Sequence, residues 1–183
     1  MDAGRTAIGV CFAIVAISAI WDLASRHIPN ILTLGGIALG IARRVALGYT
    51  DAGWGGAMRG LAWAVAGIGL CGLLPLLSYV RKEVAAGDVK LFAAIGALCG
   101  PALGMNTQAW TYAVIILVVW PLRLVRNGVL RQAATAVCSD LANMFRSRDR
   151  RVAVTHPATP TVPMGPSIFA GMFVALTIHG VFQ

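Results

Sequence analysis

Two aspartates are the residues of this sequence best placed to do chemistry together. Asp22 closes one long apolar stretch and Asp88 precedes another. The other acidic residues fall in polar tails or loops: Asp2, Asp51, Glu83, Asp140 and Asp149. Two carboxyl groups in a partly desolvated site do not both ionise easily, so the pair is expected to hold one proton. The ionised member then accepts a proton from water while the protonated member hydrogen-bonds a scissile carbonyl, which hydrolyses a peptide bond without metal or covalent intermediate.

Two other interpretations use the same aspartates. In the first, each carboxylate pairs with a neighbouring cation, Asp22 with Arg26 and Asp88 with Lys90 or Arg81, as charges at a membrane boundary often do. In the second, the chain is a small polytopic transporter or assembly protein, and the pair relays protons or cations. A transporter of that kind is expected to show inverted repeats, and the sequence has no convincing internal repeat.

The composition predicts that lipid surrounds most of this chain. Of its 183 residues, 58% are hydrophobic and 12% are charged, and the mean hydropathy is +0.77. We therefore predict an all-α integral membrane protein with one domain, residues 1–183, and about six transmembrane helices. The apolar windows lie near residues 6–23, 31–47, 57–80, 91–105, 109–125 and 164–182. The fourth contains Gly100 and Pro101, so it is expected to be tilted, broken or partly inserted.

The distribution of basic residues predicts the orientation of these helices. With six spans both termini share one side, and eleven of the fifteen Lys and Arg residues fall in the loops of the opposite side. That side is expected to be cytoplasmic, with the termini outside. Asp22 ends a helix that runs inward and Asp88 begins one that runs outward. Both carboxylates are thus predicted at the cytoplasmic membrane boundary.

Residues 126–163 form the one long connection, between the fifth and sixth spans. Its apolar residues recur at helical spacing: Leu130, Ala134, Val137, Leu141 and Met144. A basic run follows, with Arg146, Arg148, Arg150 and Arg151. The pattern predicts an amphipathic helix on the cytoplasmic membrane face, and a solvated loop with incidental helicity is the alternative. Thr155 to Pro163 is predicted to be an extended linker.

The residues around the basic segments, the spacing of the cysteines and the absence of two enzyme motifs argue against several functions. The net charge is +8, but no basic segment is interleaved with aromatic residues, so nucleic acid is not an expected partner. The cysteines never approach CxxC spacing and are interpreted as packing residues: Cys11, Cys71, Cys99 and Cys138. No metal or other cofactor is expected. The chain also lacks the HExxH motif of zinc peptidases and the GxSG motif of serine enzymes.

Three short motifs carry a resemblance to a known family. The first runs from Asp22 to Asn30 and reads DLASRHIPN, the second is AAGDVKL around Asp88, and the third is VPMGP at residues 162–166. Together they resemble the type IV prepilin peptidase family, in which an Asp followed by a basic pair and Ile-Pro-Asn is matched with a later GxGD-x-K-L segment. The order of the motifs and their membrane context make the combination specific.

The resemblance implies that Asp22 and Asp88 are the catalytic pair and that nearby residues shape or tune the site. These are Gly87, Lys90, Pro29, Asn30 and Arg26. Glycine at position 87 permits an unusual backbone conformation or a close approach, and proline at position 29 stiffens the turn into the second helix. Lys90 either tunes the pair electrostatically or contacts a lipid headgroup. The first glycine of GxGD is Ala85 here, which would destabilise the segment by about 1 kcal/mol if that position requires a positive φ.

The same resemblance implies an aspartic endopeptidase of the bacterial cytoplasmic (inner) membrane that removes the short leader of a prepilin or pseudopilin. Membrane lipids and the pilus assembly machinery are the other expected partners. Larger members carry a cytoplasmic insertion with paired CxxC motifs and also methylate the new N-terminus. This chain has neither the cysteine pairs nor room for the insertion between its first two spans. It resembles the minimal form of tight-adherence (Flp) pilus systems, and N-methyltransferase activity is not expected.

Overall fold

The computed structural model of the protein describes residues 3–82, 84–128, 130–144 and 164–178. Every regular element in these ranges is helical, which confirms the predicted all-α class. The helices are α1 Ala3–Ser25, α2 Asn30–Val80, α3 Ala86–Cys99, α4 Pro101–Val114, α5 Trp120–Arg126, α6 Leu130–Met144 and α7 Met164–Ile178, with a π-helical stretch at Ile115–Val119. Helices α1 to α4 and α7 form one compact unit, and the π-helical stretch with α5 and α6 forms a second.

Helix α2 is a hairpin of two helices rather than one straight rod of 51 residues. Its backbone leaves helical geometry at Ala52 (φ −149°, ψ 31°) and Gly53 (φ 58°, ψ −144°). On either side of this turn the two halves pack backbone to backbone, since a Cβ added to Gly48 would collide with the Gly56 carbonyl. The predicted windows at 31–47 and 57–80 lie in the first and second half.

A second sharp turn separates α3 from α4 and corrects the predicted span boundaries. The windows 91–105 and 109–125 placed that boundary after residue 105, which is wrong because α3 ends at Cys99 and α4 begins at Pro101. Gly100 has φ 89°, a conformation that favours glycine. Pro101 starts the next helix, where its missing N–H is not needed. The break expected in the fourth span therefore lies at Gly100.

Helix α3 is the central element of the larger unit. Every residue from Leu91 to Leu98 is buried, and α3 packs against both α2 and α1. Small residues bring the backbones together, because a Cβ on Gly40 would lie 2.7 Å from the Ala97 carbonyl carbon and one on Gly67 would collide with the Gly96 carbonyl. Close glycine contacts of this kind hold helices together in lipid, where apolar burial gives little driving force.

The outer surface of this unit is apolar. Large side chains such as Ile20, Leu70 and Leu77 are half or more exposed, as is expected where lipid surrounds the helices. Within the described ranges, three helical stretches are long and apolar enough to cross a membrane, Gly4–Ser25, Asn30–Val80 and Pro101–Arg126, and Met164–Ile178 is a shorter apolar helix. The chain is therefore a membrane protein.

The second unit contains the helix predicted between the last two spans. Helix α6 covers Leu130–Met144, so the helical part of that prediction is confirmed. The basic run at Arg146, Arg148, Arg150 and Arg151 and the linker from Thr155 to Pro163 lie outside the described residues. The location of α6 on a membrane surface stays a prediction.

Candidate active site

Asp22 lies in the last turn of α1 and is only 7% exposed. The backbone N–H of Gly165, in the first turn of α7, donates a hydrogen bond of 2.9 Å to Asp22 Oδ2. A Cβ on Gly165 would lie 2.8 Å from the Asp22 Cβ and 2.9 Å from Oδ2. Only glycine therefore lets the start of α7 approach this carboxyl group, and the bond fixes the orientation of that group.

The turn between α1 and α2 holds two of the residues expected to shape the site, and a third begins α2. Arg26 has a positive φ of 53°, and its N–H donates to the Asp22 carbonyl at 2.9 Å, which ends α1. Ser25 Oγ lies within hydrogen-bond distance of the Trp21 and His27 carbonyls, at 2.9 and 3.0 Å. Pro29 is extended (φ −61°, ψ 133°) and precedes the first residue of α2, Asn30. The turn is thus built mainly from backbone contacts, and the Arg26 side chain is exposed.

Asp88 lies in the first turn of α3 and is 5% exposed. Its N–H donates to the Ala85 carbonyl at 3.1 Å. Ala85 itself is extended, with φ −79° and ψ 152°, so alanine at this position carries none of the strain that a positive φ would bring. The departure from the GxGD pattern is therefore compatible with an unstrained backbone.

Gly87 allows the α1–α2 turn to pack closely on α3, and it does not form a turn itself. It does not have a positive φ, but a Cβ at this position would lie 3.2 Å from the Cβ of Ile28. The α1–α2 turn thereby packs on the first turn of α3. This contact brings the end of α1, which carries Asp22, to the start of α3, which carries Asp88.

The two aspartates lie at the same end of the first unit, one at the end of α1 and one at the start of α3. Helices α1 and α3 are in contact, and Ile28 of the α1–α2 turn packs on Gly87, the residue before Asp88. Within the described part of the chain, neither carboxylate forms the salt bridge considered above. Lys90 Nζ instead donates to Asn30 Oδ1 at 2.9 Å, which ties the start of α3 to the start of α2. Among the described residues, two buried carboxyl groups thus lie at one end of the unit without a cation bonded to them, an arrangement in which one proton shared by the pair is favoured.

A buried hydroxyl lies one helical turn from Asp22. Ser18 is fully buried, and its Oγ has no hydrogen-bond partner among the described residues. Sequence reasoning missed this residue, since a serine inside an apolar helix gives no signal. It also gave Gly165 no role, although the motif VPMGP contains it. No cluster of three metal-ligating side chains occurs in the described ranges.

Comparison with models of protein families gave a match. The chain matches the model of the type IV leader peptidase family over residues 9–122, which is more than half of its length and includes both aspartates. A search of curated proteins and a search of solved structures each gave no match. The protein belongs to the type IV leader peptidase family. It is accordingly a membrane peptidase of the aspartic type, with a function of the leader-peptidase kind.

Proposed function

We propose that this protein removes the short leader of a prepilin or pseudopilin at the cytoplasmic face of the membrane, with Asp22 and Asp88 as the catalytic pair. The observation that carries the proposal is that two buried acids, at the end of α1 and the start of α3, lie at one end of the bundle where these helices are in contact. Burial of two acids without a cation lowers stability, and such an arrangement is typical of a catalytic site. The family to which the chain belongs supports a substrate with a leader peptide.

The mechanism follows from one proton shared by two carboxyl groups. The ionised group accepts a proton from a water molecule, and the protonated group donates a hydrogen bond to the scissile carbonyl oxygen. Water attacks the carbonyl carbon, and the proton then passes to the leaving amine. Gly165 contributes by holding Oδ2 of Asp22, which leaves Oδ1 in a fixed position for the reaction.

The orientation in the membrane is part of the proposal. Six spans are expected from α1, the two halves of α2, α3, the stretch Pro101–Arg126 and α7. The end of the first unit that carries the aspartates also carries Arg26, Arg81, Lys82 and Lys90. An excess of basic residues marks the cytoplasmic side, so the active site is expected there, in the inner membrane of a bacterium and with both termini outside. In this orientation α6 lies on the cytoplasmic membrane face.

The substrate is expected to come from a tight-adherence (Flp) pilus system, because the chain lacks paired CxxC motifs and an insertion between its first two spans. The shaping residues have distinct roles in this proposal. Gly87 admits Ile28 of the α1–α2 turn to the start of α3, and Pro29 stiffens the turn into α2. Arg26 ends α1, and the bond from Lys90 to Asn30 joins α3 to α2. Leader removal without methylation is the expected activity.

Co-expression with a candidate prepilin tests this function. The intact chain, Asp22→Asn and Asp88→Asn are compared by measuring the mass of the substrate, and Asp51→Asn is the matched control because Asp51 is exposed at the opposite end of the bundle. We expect both active-site variants to leave the leader in place at normal membrane levels, whereas the control cleaves. Normal cleavage by either Asp22→Asn or Asp88→Asn would show that the pair is not catalytic and would favour the relay interpretation.

A further inference from the structure

Two cysteines repeat the arrangement of the aspartates at the opposite end of the first unit. Cys11 stands eleven positions before Asp22 in α1, and Cys99 stands eleven positions after Asp88 in α3. Eleven residues make about three helical turns, so the cysteine and the aspartate of each helix lie on the same face, about 16 Å apart along the axis. If the two helices run antiparallel in this register, the cysteines face each other as the aspartates do.

The packing of α1 on α3 has this antiparallel register. At the aspartate end, Ile28 of the α1–α2 turn packs on Gly87. Farther along both helices, a Cβ on Gly36 of α2 would lie 3.4 Å from Ile14 Cδ1 and 3.1 Å from Ala94 Cβ. From the first contact to the second the chain runs backwards along α1 and forwards along α3, and continuing in these directions leads to Cys11 and Cys99. The buried residues share one helical spacing, Cys11, Val15, Ser18 and Asp22 on α1 and Asp88, Phe92 and Ile95 on α3.

The two thiols are in direct contact. The Cys11 and Cys99 side chains are hydrogen-bonded to each other, and both are free thiols in the structure. Cys11 is 1% exposed, whereas Cys99 is partly exposed and lines a cavity of about 400 Å³ whose other walls include the charged residues Arg44 and Asp51. A polar oxidant therefore has access to Cys99, and Cys11 lies directly behind it.

We propose that Cys11 and Cys99 are a disulfide site that ties α1 to α3 at the extracytoplasmic end of the first unit. The compartment rests on the orientation proposed above, in which both termini lie outside the cytoplasm. Disulfides form and persist in oxidising compartments of that kind. Sequence spacing gives no hint of this pair, because its members are 88 positions apart and neither belongs to a CxxC motif.

The bond forms by thiol–disulfide exchange with a disulfide-bearing oxidant of that compartment. The Cys99 thiolate attacks one sulfur of the oxidant, which forms a mixed disulfide and releases the first thiol. Cys11 then gives up its proton and attacks Cys99 Sγ, which closes the Cys11–Cys99 bond and releases the second thiol. The two cysteines lose two electrons and two protons, and the oxidant is reduced to two thiols.

The disulfide would stabilise the contact between the two helices that carry the aspartates. It closes a long loop of the chain, from the first turns of α1 to the end of α3, and a cross-link over a long loop restrains the unfolded chain. The oxidised protein should therefore unfold in detergent at a temperature roughly 5 °C or more above that of the reduced protein.

Mapping of thiols in the full-length protein tests this proposal. Cells that express the chain are quenched in acid, free thiols are blocked with N-ethylmaleimide, and the purified protein is digested without reductant for mass spectrometry. We expect a peptide that links Cys11 to Cys99, with Cys71 and Cys138 alkylated. The link should be lost in Cys11→Ala and Cys99→Ala. It should be kept in Cys71→Ala, the matched control, because Cys71 is also buried but its Sγ contacts the Pro101 carbonyl at 4.0 Å.

The intact chain decides the question even where a variant folds poorly. Alkylation of both Cys11 and Cys99 in the quenched cells, or a link from either of them to Cys71, would overturn the proposal. An unfolding temperature that reduction does not lower would overturn the stabilising role of the bond. Leader removal is measured separately, so a chain that cleaves its substrate without the disulfide would refute this proposal and leave the proposed function intact.

Discussion

At one end of the first unit two carboxyl groups are buried with no cation bonded to them in the described ranges, whereas at the other end a half-buried guanidinium donates to a backbone carbonyl. The Asp22 carboxyl group accepts a hydrogen bond from the Gly165 N–H, while Arg44 completes the hydrogen bonding of α3 at Ala97. The Arg44 contact satisfies a helix end and stabilises the fold. The bond from Gly165 orients the Asp22 carboxyl group, whose burial destabilises the fold. Buried acids of this kind are typical of catalytic sites.

Glycine permits a close contact at both ends of the first unit, with different consequences. At Gly165 the absent side chain admits a backbone N–H to a carboxyl group, and at Gly100 it admits the Arg44 guanidinium to the turn between α3 and α4. The middle of the bundle uses glycine for packing alone, as at Gly67 against Gly96. Substitutions at these places should therefore separate effects on the reaction from effects on stability.

Among these glycine substitutions, the largest effect is expected for Gly165→Ala, and it is an effect on the rate of leader removal. The added Cβ would lie 2.8 Å from the Asp22 Cβ, so α7 and the carboxyl group must move apart and the 2.9 Å hydrogen bond is lost. A displacement on the order of 1 Å at a catalytic group lowers the rate by about a hundredfold. The measurement is the rate of leader removal per folded molecule, and Gly35→Ala, which has nothing within 4 Å of its added Cβ, is the control. An unchanged rate in Gly165→Ala would refute the orienting role of this residue.

A smaller effect, mainly on stability, is expected for Gly67→Ala. The added Cβ would collide with the Gly96 carbonyl, and separating two packed helices should lower the free energy of unfolding by about 3 kcal/mol. Chemical denaturation in detergent measures this change. Gly69→Ala, on the same half of α2 with open space around it, should be neutral. If the two variants were equally stable, packing in the middle of the bundle would not depend on the Gly67 contact.

The smallest effect concerns the bond between Lys90 and Asn30. It joins α3 to α2 at 2.9 Å near the exposed edge of the site, so its coupling free energy should be only about 0.5 kcal/mol. A double-mutant cycle with Lys90→Met and Asn30→Ala measures this coupling. The pH profile of cleavage in Lys90→Met then separates the two roles considered for Lys90, because tuning of the aspartates shifts the profile and a lipid contact does not.

Much of this architecture is predictable from hydropathy and from local motifs. The ends of the apolar windows predict where α1 and α2 end. The two aspartates are recognisable because acidic residues are rare beside such windows. The break at Gly100 follows from the Gly100–Pro101 pair, whereas the turn at Gly53 (φ 58°) is harder to predict, because single glycines also occur inside the helices of this chain. The bond from Gly165 to Asp22 joins residues 143 positions apart, and no local pattern encodes it. The positive φ of Arg26 is equally hidden, because arginine has no preference for that conformation.

The central claim is that Asp22 and Asp88 act as one catalytic unit, and a double-mutant cycle on the rate of leader removal tests it most directly. Purified Asp22→Asn, Asp88→Asn and the double variant are assayed on one prepilin peptide by mass spectrometry, with folding checked for each. Each single substitution should lower kcat by about a thousandfold or more, and the double variant should be no slower than the singles, because a shared-proton pair fails when either member is lost. Independent, multiplicative losses, or a single variant with normal kcat, would contradict the account.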